Sequence, residues 1–270
     1  YDVTRIVGGS SGGEGAVVGA GGSPFGLGSD VGGSIRGPAF FNGVFGHKPT
    51  GGLVPATGQY PIAENAALRY LVTGPLTRRA EDLMPLVRVL AGPDGRDGGC
   101  RELTLGDPAS VRIQDLRVLD VDLSRRSGFS ADLLQAKKRA LDHLSSLGAK
   151  VEPHRFDTLG KSVEIWSALL DDAGGQSFRS MLGNGKPFRG GRELVRWALR
   201  SSPHTLPAIV LALVESIPKL AKAQAARFIE EGIELRDALQ NALGEDGVFL
   251  YPPYATTAPR HYKPMLPPIH

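Results

Sequence analysis

The sequence predicts an α/β protein built on a largely parallel sheet, and three observations carry that reading. The run "RVLDVDL" (Arg117–Leu123) has a strand pattern, a helical pattern follows at about Ser130–Leu147, and a second strand pattern follows at Lys150–Phe156. Two strands joined by a helix of that length favour parallel pairing, since antiparallel neighbours need only a tight turn. "GVFLYPP" (Gly247–Pro253) adds a short buried strand after a long helical stretch. A chain of 270 residues can bury a sizeable core, and with no internal repeat and no clear boundary it reads as a single domain over 1–270.

Taken in order, residues 1–50 form a glycine-rich block with 13 glycines between Gly8 and Gly37. A flexible linker would lack the Val17, Val18, Phe25, Leu27, Val31 and Ile35 interleaved with them, so the glycines point to backbone that must approach something closely. Ser11-Gly12-Gly13-Glu14 is a capping-box pattern and predicts a helix through Ala16–Ala20, with Ser11 as N-cap and Ser10 in the tight turn before it. A region punctuated by proline and glycine runs to about Pro93 and holds a helical pattern from Arg79 to Leu90, with Leu83, Leu86, Val87 and Leu90 on one face. Residues 92–115 read as a surface connection. The helix at Ser130–Leu147 has its stop at Gly148. Helical patterns recur at 161–182, 191–200 and 207–243, the last broken at Pro218.

Bulk properties narrow the function. Hydrophobic content of 41% and charged content of 22% are ordinary for a globular protein, and a net charge of +3 with dispersed basic residues argues against nucleic acid as a partner. Cys100 is the single cysteine, so no intrachain disulfide forms. No uninterrupted apolar run approaches the ~18 residues of a membrane span. The chain starts at Tyr1 and stops at "PMLPPIH", which reads as an internal piece of a longer protein.

Three chemistries compete for the opening block. A phosphate loop is excluded, because G-x-x-x-x-G-K-[ST] is absent and no G-x-G-x-x-G is completed. Gly8-Gly9-Ser10-Ser11-Gly12 fits a nucleophile elbow formally, yet none of His143, His154, His204, His261 and His270 stands in a motif that would complete a triad. The third reading uses both serine sites. Ser34 follows Val31-Gly32-Gly33, where small residues expose successive backbone N–H groups, the arrangement an oxyanion hole needs. Asp30 and Arg36 flank that nest and read as a salt bridge that holds its shape.

The block "GGSSGGEGAVVGAGGSPFGLGSDVGGSIRGPAFFNGVFGHKPT" resembles the signature of the amidase signature family, and within it the fatty-acid amide hydrolases, the second vertebrate type in particular. "GDPASVRIQDL", "TLPAIVLALVE" and "GVFLYPPYATTAPRHYKP" are similar to the same relatives more loosely. The resemblance implies the amidase signature fold, a central mixed and largely parallel twisted sheet with helices on both faces. It implies a Ser–cis-Ser–Lys triad with Ser34 as nucleophile, Ser10 as bridging serine and a cis Gly9–Ser10 peptide. The oxyanion hole would be the N–H groups of Val31, Gly32, Gly33 and Ser34, supported by Ser11, Asp30 and Arg36. In the family the catalytic lysine lies upstream of the signature, so this chain is expected to lack it, along with C-terminal strands, and to be inactive alone. Lys48 in "GHKPT" falls where the family has a structural loop. No metal or cofactor is expected.

The activity so implied is cleavage of a small lipid amide through an acyl-enzyme. A glutamine-dependent amidotransferase subunit, or a truncated product that only binds partners or lipid, are the alternatives. "SSPHTLPAIVLALVESIPKL", flanked by Arg196, Arg200 and Lys219, suits a membrane surface over about residues 193–219, with an ordinary core helix as the competing reading. Membrane association inside the cell and a homodimer complete the expectations.

Overall fold

The computed structural model describes residues 2–59, 70–123, 128–174, 178–184, 186–214 and 222–261. The N-terminal part runs α1 (Gly12–Gly19), β1 (Phe25–Asp30), α2 (Arg36–Asn42), β2 (Phe45–Gly46), β3 (Val72–Thr77) and α3 (Leu83–Leu90). The remainder runs β4 (Arg117–Val121), α4 (Ala131–Ser146), β5 (Lys150–His154), α5 (Ser162–Asp172), α6 (Phe178–Gly183), α7 (Gly190–Ala198), α8 (Leu206–Val214), α9 (Lys222–Leu243) and β6 (Gly247–Leu250).

Among the described residues the strands form two three-stranded sheets, ordered β1-β3-β2 and β5-β4-β6. The second is parallel throughout, with Val118 opposite Val151 on one side and Val248 on the other. β4 lies at its centre, and Val118 and Leu119 are both fully buried, as a strand covered on both faces requires. The β4–α4–β5 crossover is the one expected from sequence, and Gly148, at φ +95°, ends α4 in the left-handed conformation that glycine adopts without a Cβ clash.

The first sheet is antiparallel, with Phe25 opposite Thr77 and Gly28 opposite Gly74. β1 inverts the usual alternation: Gly26, Gly28 and Asp30 point inward, while Phe25 and Leu27 face out. The reason is α1, which lies directly on the strand. A Cβ at Gly28 would stand 2.6 Å from Ser11 Oγ, so only glycine lets helix and strand meet at this distance. Ile35, Ala39 and Leu76, with Val44 against them, then form the core under α2.

Two helical patterns divide where the chemistry demands. The pattern at Arg79–Leu90 becomes a 3-10 turn at Ala80–Asp82 followed by α3, because Pro85 lacks an N–H and is tolerated only in a helix's first turn. The pattern at 161–182 becomes α5 and α6, with Gly174 at φ +64° after α5. Between α8 and α9 the expected break at Pro218 lies outside the described residues. Ile209 and Ala212 of α8 are buried with Phe188, flanked by Leu182, Leu194 and Leu213, so one face of that helix is core.

Candidate active site

The site is organised around one buried carboxylate. Asp30 ends β1 with no solvent exposure and accepts five hydrogen bonds from the turn that follows. Oδ1 takes the N–H of Gly33 at 2.7 Å and Arg36 Nη2 at 3.0 Å; Oδ2 takes the N–H of Ile35 at 3.0 Å, that of Arg36 at 3.3 Å and Arg36 Nε at 3.1 Å. Burial by itself raises the carboxyl pKa, but the Arg36 guanidinium and the Gly33 and Ile35 amides outweigh it and hold the group ionised far below the ordinary carboxylate range. The Asp30–Arg36 pair therefore fixes the loop, as the sequence suggested. Gly33 turns the chain at φ +111°, which brings its N–H onto the carboxylate.

Of the four amides at Val31, Gly32, Gly33 and Ser34, the Gly33 N–H is already directed at Asp30. Among the described residues no acceptor takes those of Val31, Gly32 and Ser34. Ser34 lies half-buried just before α2, and the Trp166 ring of α5 lies against Gly32.

The first serine segment docks onto this turn. Ser11 N donates to Ser34 O at 3.2 Å, which brings Ser10 and Ser34 to one place in the fold. The Gly9–Ser10 peptide is cis, as the resemblance implied. Asn42, buried in α2, donates its side-chain amide to Val7 O and Pro38 O, both at 2.8 Å, and so ties the approach to Ser10 down on α2. Ser11 does stand at the N-cap of α1, but its hydroxyl does not cap the helix. It accepts the N–H of Ser29 at 3.2 Å and reaches Ser29 O at 3.4 Å, joining α1 to β1 instead. Glu14 points to β1 as well, with Oε2 in the space a Gly26 Cβ would fill, so the capping box gives way to helix–strand packing.

A cavity of about 540 Å³ opens beside Ser10, with Leu27, Ser29, Val54, Thr73 and Leu90 in its walls. A larger one, about 700 Å³, is lined by Phe188, Arg189, Arg192 and His204 and touches neither serine. Lys48 does not reach a serine hydroxyl. Its Nζ donates to Asp30 O at 2.9 Å, Tyr70 O at 3.2 Å and Val31 O at 3.3 Å, and lies 3.5 Å from Asp30 Oδ1. Burial pushes its pKa below the usual lysine value, and the negative charge of Asp30 opposes that shift. Sequence reasoning gave Trp166, Asn42 and Ser29 no role, since no local motif marks contacts made from such distances along the chain. Among the described residues no group of three or more His, Cys, Asp or Glu could hold a metal ion.

The Amidase family model matches residues 1–266. The chain is 40% identical, over its whole length, to human Fatty-acid amide hydrolase 2, of which it covers 52%. It is 38% identical to a Glutamyl-tRNA(Gln) amidotransferase subunit of Prochlorococcus marinus (strain MIT 9303), over 56% of this chain and 31% of that protein. The crystal structure of the corresponding Glutamyl-tRNA(Gln) amidotransferase subunit from Thermotoga maritima superposes with a TM-score of 0.72 at 25% identity, covering 96% of this chain and 53% of that one. The chain thus spans about half the length of the fatty-acid amide hydrolases it matches.

Proposed function

The chain belongs to the amidase family, and from that membership we propose that it carries the serine half of a hydrolase that cleaves fatty-acid amides through Ser34, Ser10 and a lysine. The observation that best supports this reading is the junction of the two serine segments, where Ser11 N meets Ser34 O beside three amides without an acceptor among the described residues. The 40% identity to a fatty-acid amide hydrolase along the entire chain, against 38% over 56% of it for the amidotransferase subunit, favours the lipid substrate.

In this mechanism Ser34 Oγ attacks the amide carbon while its proton passes to Ser10 Oγ and the Ser10 proton passes to a neutral lysine. The N–H groups of Val31, Gly32 and Ser34 receive the oxyanion. Collapse breaks the C–N bond; Ser10 returns a proton to the leaving nitrogen and regains one from the lysine. Water then attacks the Ser34 ester by the same relay and frees the acid. The lysine is the one the family carries upstream of its signature. Among the described residues no basic side chain is hydrogen-bonded to Ser10, and the ammonium of Lys48, donating to three carbonyls, has no lone pair to offer.

The full-length protein is expected to hydrolyse a long-chain primary fatty-acid amide and to leave free glutamine intact. Release of ammonia from glutamine with no turnover of the fatty amide would reassign the protein to the amidotransferase side of the family.

Contact with a membrane surface over about residues 193–219 is part of the same proposal. The exposed side chains that suit it lie on α7 and just beyond: Val195 is 60% and Leu199 73% exposed. No described helix is long and apolar enough to cross a membrane. Val195→Glu with Leu199→Glu is expected to reduce sedimentation with phospholipid vesicles at unchanged thermal stability. Ile209→Lys, which buries a charge beside Phe188, is expected to unfold the α7–α8 region instead. Full vesicle binding by the double variant would remove the membrane role.

A further inference from the structure

We propose that Lys48 is a positioning residue for the oxyanion site: by gripping the carbonyl oxygens of Asp30 and Val31 from behind, it aims the N–H groups of Val31 and Gly32 toward the carbonyl that Ser34 attacks. The inference rests on the reading of Ser34 as nucleophile and assigns to Lys48 a role other than base or filler.

Lys48 Nζ stands 2.9 Å from Asp30 O and 3.3 Å from Val31 O. The cis bond among the described residues is Gly9–Ser10, so the Asp30–Val31 and Val31–Gly32 peptides are trans. In a trans peptide the N–H points opposite to the C=O across a rigid plane. Holding these two carbonyls therefore orients the Val31 N–H and the Gly32 N–H, both away from the ammonium. In an extended strand successive carbonyls alternate sides and could not share one cation. Their convergence marks where the chain leaves β1 at Asp30 and becomes a nest, with consecutive N–H groups on one side.

The neighbouring bonds complete the division of labour. Asp30 takes the Gly33 N–H, while no described acceptor takes those of Val31, Gly32 or Ser34. Lys48 is itself anchored: the His47 N–H donates to Pro75 O of β3 at 3.0 Å, and the third partner of the ammonium, Tyr70 O, lies just before the same strand. The grip therefore refers the nest to β3, the central strand of its sheet. Three backbone carbonyls converge on one nitrogen, with Asp30 Oδ1 at 3.5 Å as a fourth and longer contact, and a compact ammonium suits that arrangement better than the planar fork of arginine. A positive charge on the carbonyl side also polarises both peptides and strengthens their N–H groups as donors.

The test uses the full-length protein, with a long-chain amide as substrate and the trifluoromethyl ketone of the same chain as an analogue of the tetrahedral intermediate. Lys48→Met is expected to lower kcat about 10²-fold, the scale of losing an oxyanion donor, and to weaken ketone binding by a similar factor. KM should stay within about threefold, because the ground-state carbonyl depends little on the nest. Lys48→Arg, which keeps the charge and so favours folding, should show the same signature at about tenfold. In whichever variant folds, a kcat that falls with ketone affinity unchanged, or losses matched by an equal rise in KM, overturns the proposal. So does a shifted acid limb in the kcat/KM pH profile of Lys48→Arg, which would make Lys48 the base. Fluorophosphonate labelling that survives Ser34→Ala would instead show the nucleophile reading to be at fault.

Discussion

Ser34→Ala is expected to abolish both fluorophosphonate labelling and amide hydrolysis in the full-length protein, the largest loss any single substitution should cause. Water can replace a bridging proton carrier at some cost, but nothing replaces the oxygen that bonds to the acyl carbon. Ser10→Ala should therefore behave differently, with turnover reduced by about 10²–10⁴-fold, the usual share of acid–base catalysis, and slow labelling retained. The pair of variants discriminates between two serines whose segments are joined by the Ser11 N to Ser34 O bond. Labelling that survives at Ser34→Ala and disappears at Ser10→Ala would make Ser10 the nucleophile and support the elbow reading of Gly8–Gly12.

Asp30→Ala is expected to have the largest effect on stability. The carboxylate is fully buried and accepts from three backbone amides as well as Arg36. Its removal leaves the Gly33 and Ile35 amides without their acceptor and Lys48 without a counter-charge. Breaking a buried pair costs about 3–5 kcal/mol; Arg36 remains half-exposed and partly screened by water, so about 3 kcal/mol is the expected loss. The pH dependence gives an independent check. Asp30 has a folded-state pKa far below its unfolded value of about 3.9. Its contribution is therefore complete above that unfolded value and is lost as pH falls toward the folded one. The stability gap between the native chain and Asp30→Asn, measured by urea unfolding, should be wide at neutral pH and narrow steadily below about pH 4. A gap independent of pH would mean that the ionised form of Asp30 carries none of the effect.

Much of this site is legible in the linear sequence. The signature block around Ser10 and Ser34 identifies the family, and the Asp30–Arg36 bridge follows from opposite charges flanking a turn of small residues. The β4–α4–β5 unit is legible for a simpler reason: its apolar spacing is local, and Gly148 marks its stop. β1 is different. "FGLGSD" has the glycine content of a loop, and it becomes a strand because pairing with β3 supplies its hydrogen bonds while α1 fills the space where side chains would be. Local propensity is overruled there by contacts that no window along the chain contains.

The sequence by itself determined the family, through the signature block that holds Ser10 and Ser34, and also the ion pair that shapes the loop and the alternation of helix and strand in the parallel sheet, because each depends on residue chemistry and short-range spacing. Tertiary structure alone decided which hydroxyl, amide and ammonium found which partner. Ser11 sits at a helix start, as its pattern predicts, yet its Oγ serves Ser29 on the strand beneath. The Gly33 amide, one of four equivalent N–H groups on paper, turns to Asp30. Lys48 gathers three carbonyls from β1, the turn after it and the approach to β3, and of the two readings open for the apolar helix, core is the one that Ile209 takes against Phe188. A buried donor or acceptor must be satisfied by whatever the fold brings within about 3 Å, and that neighbour is set by how elements pack, not by their order along the chain.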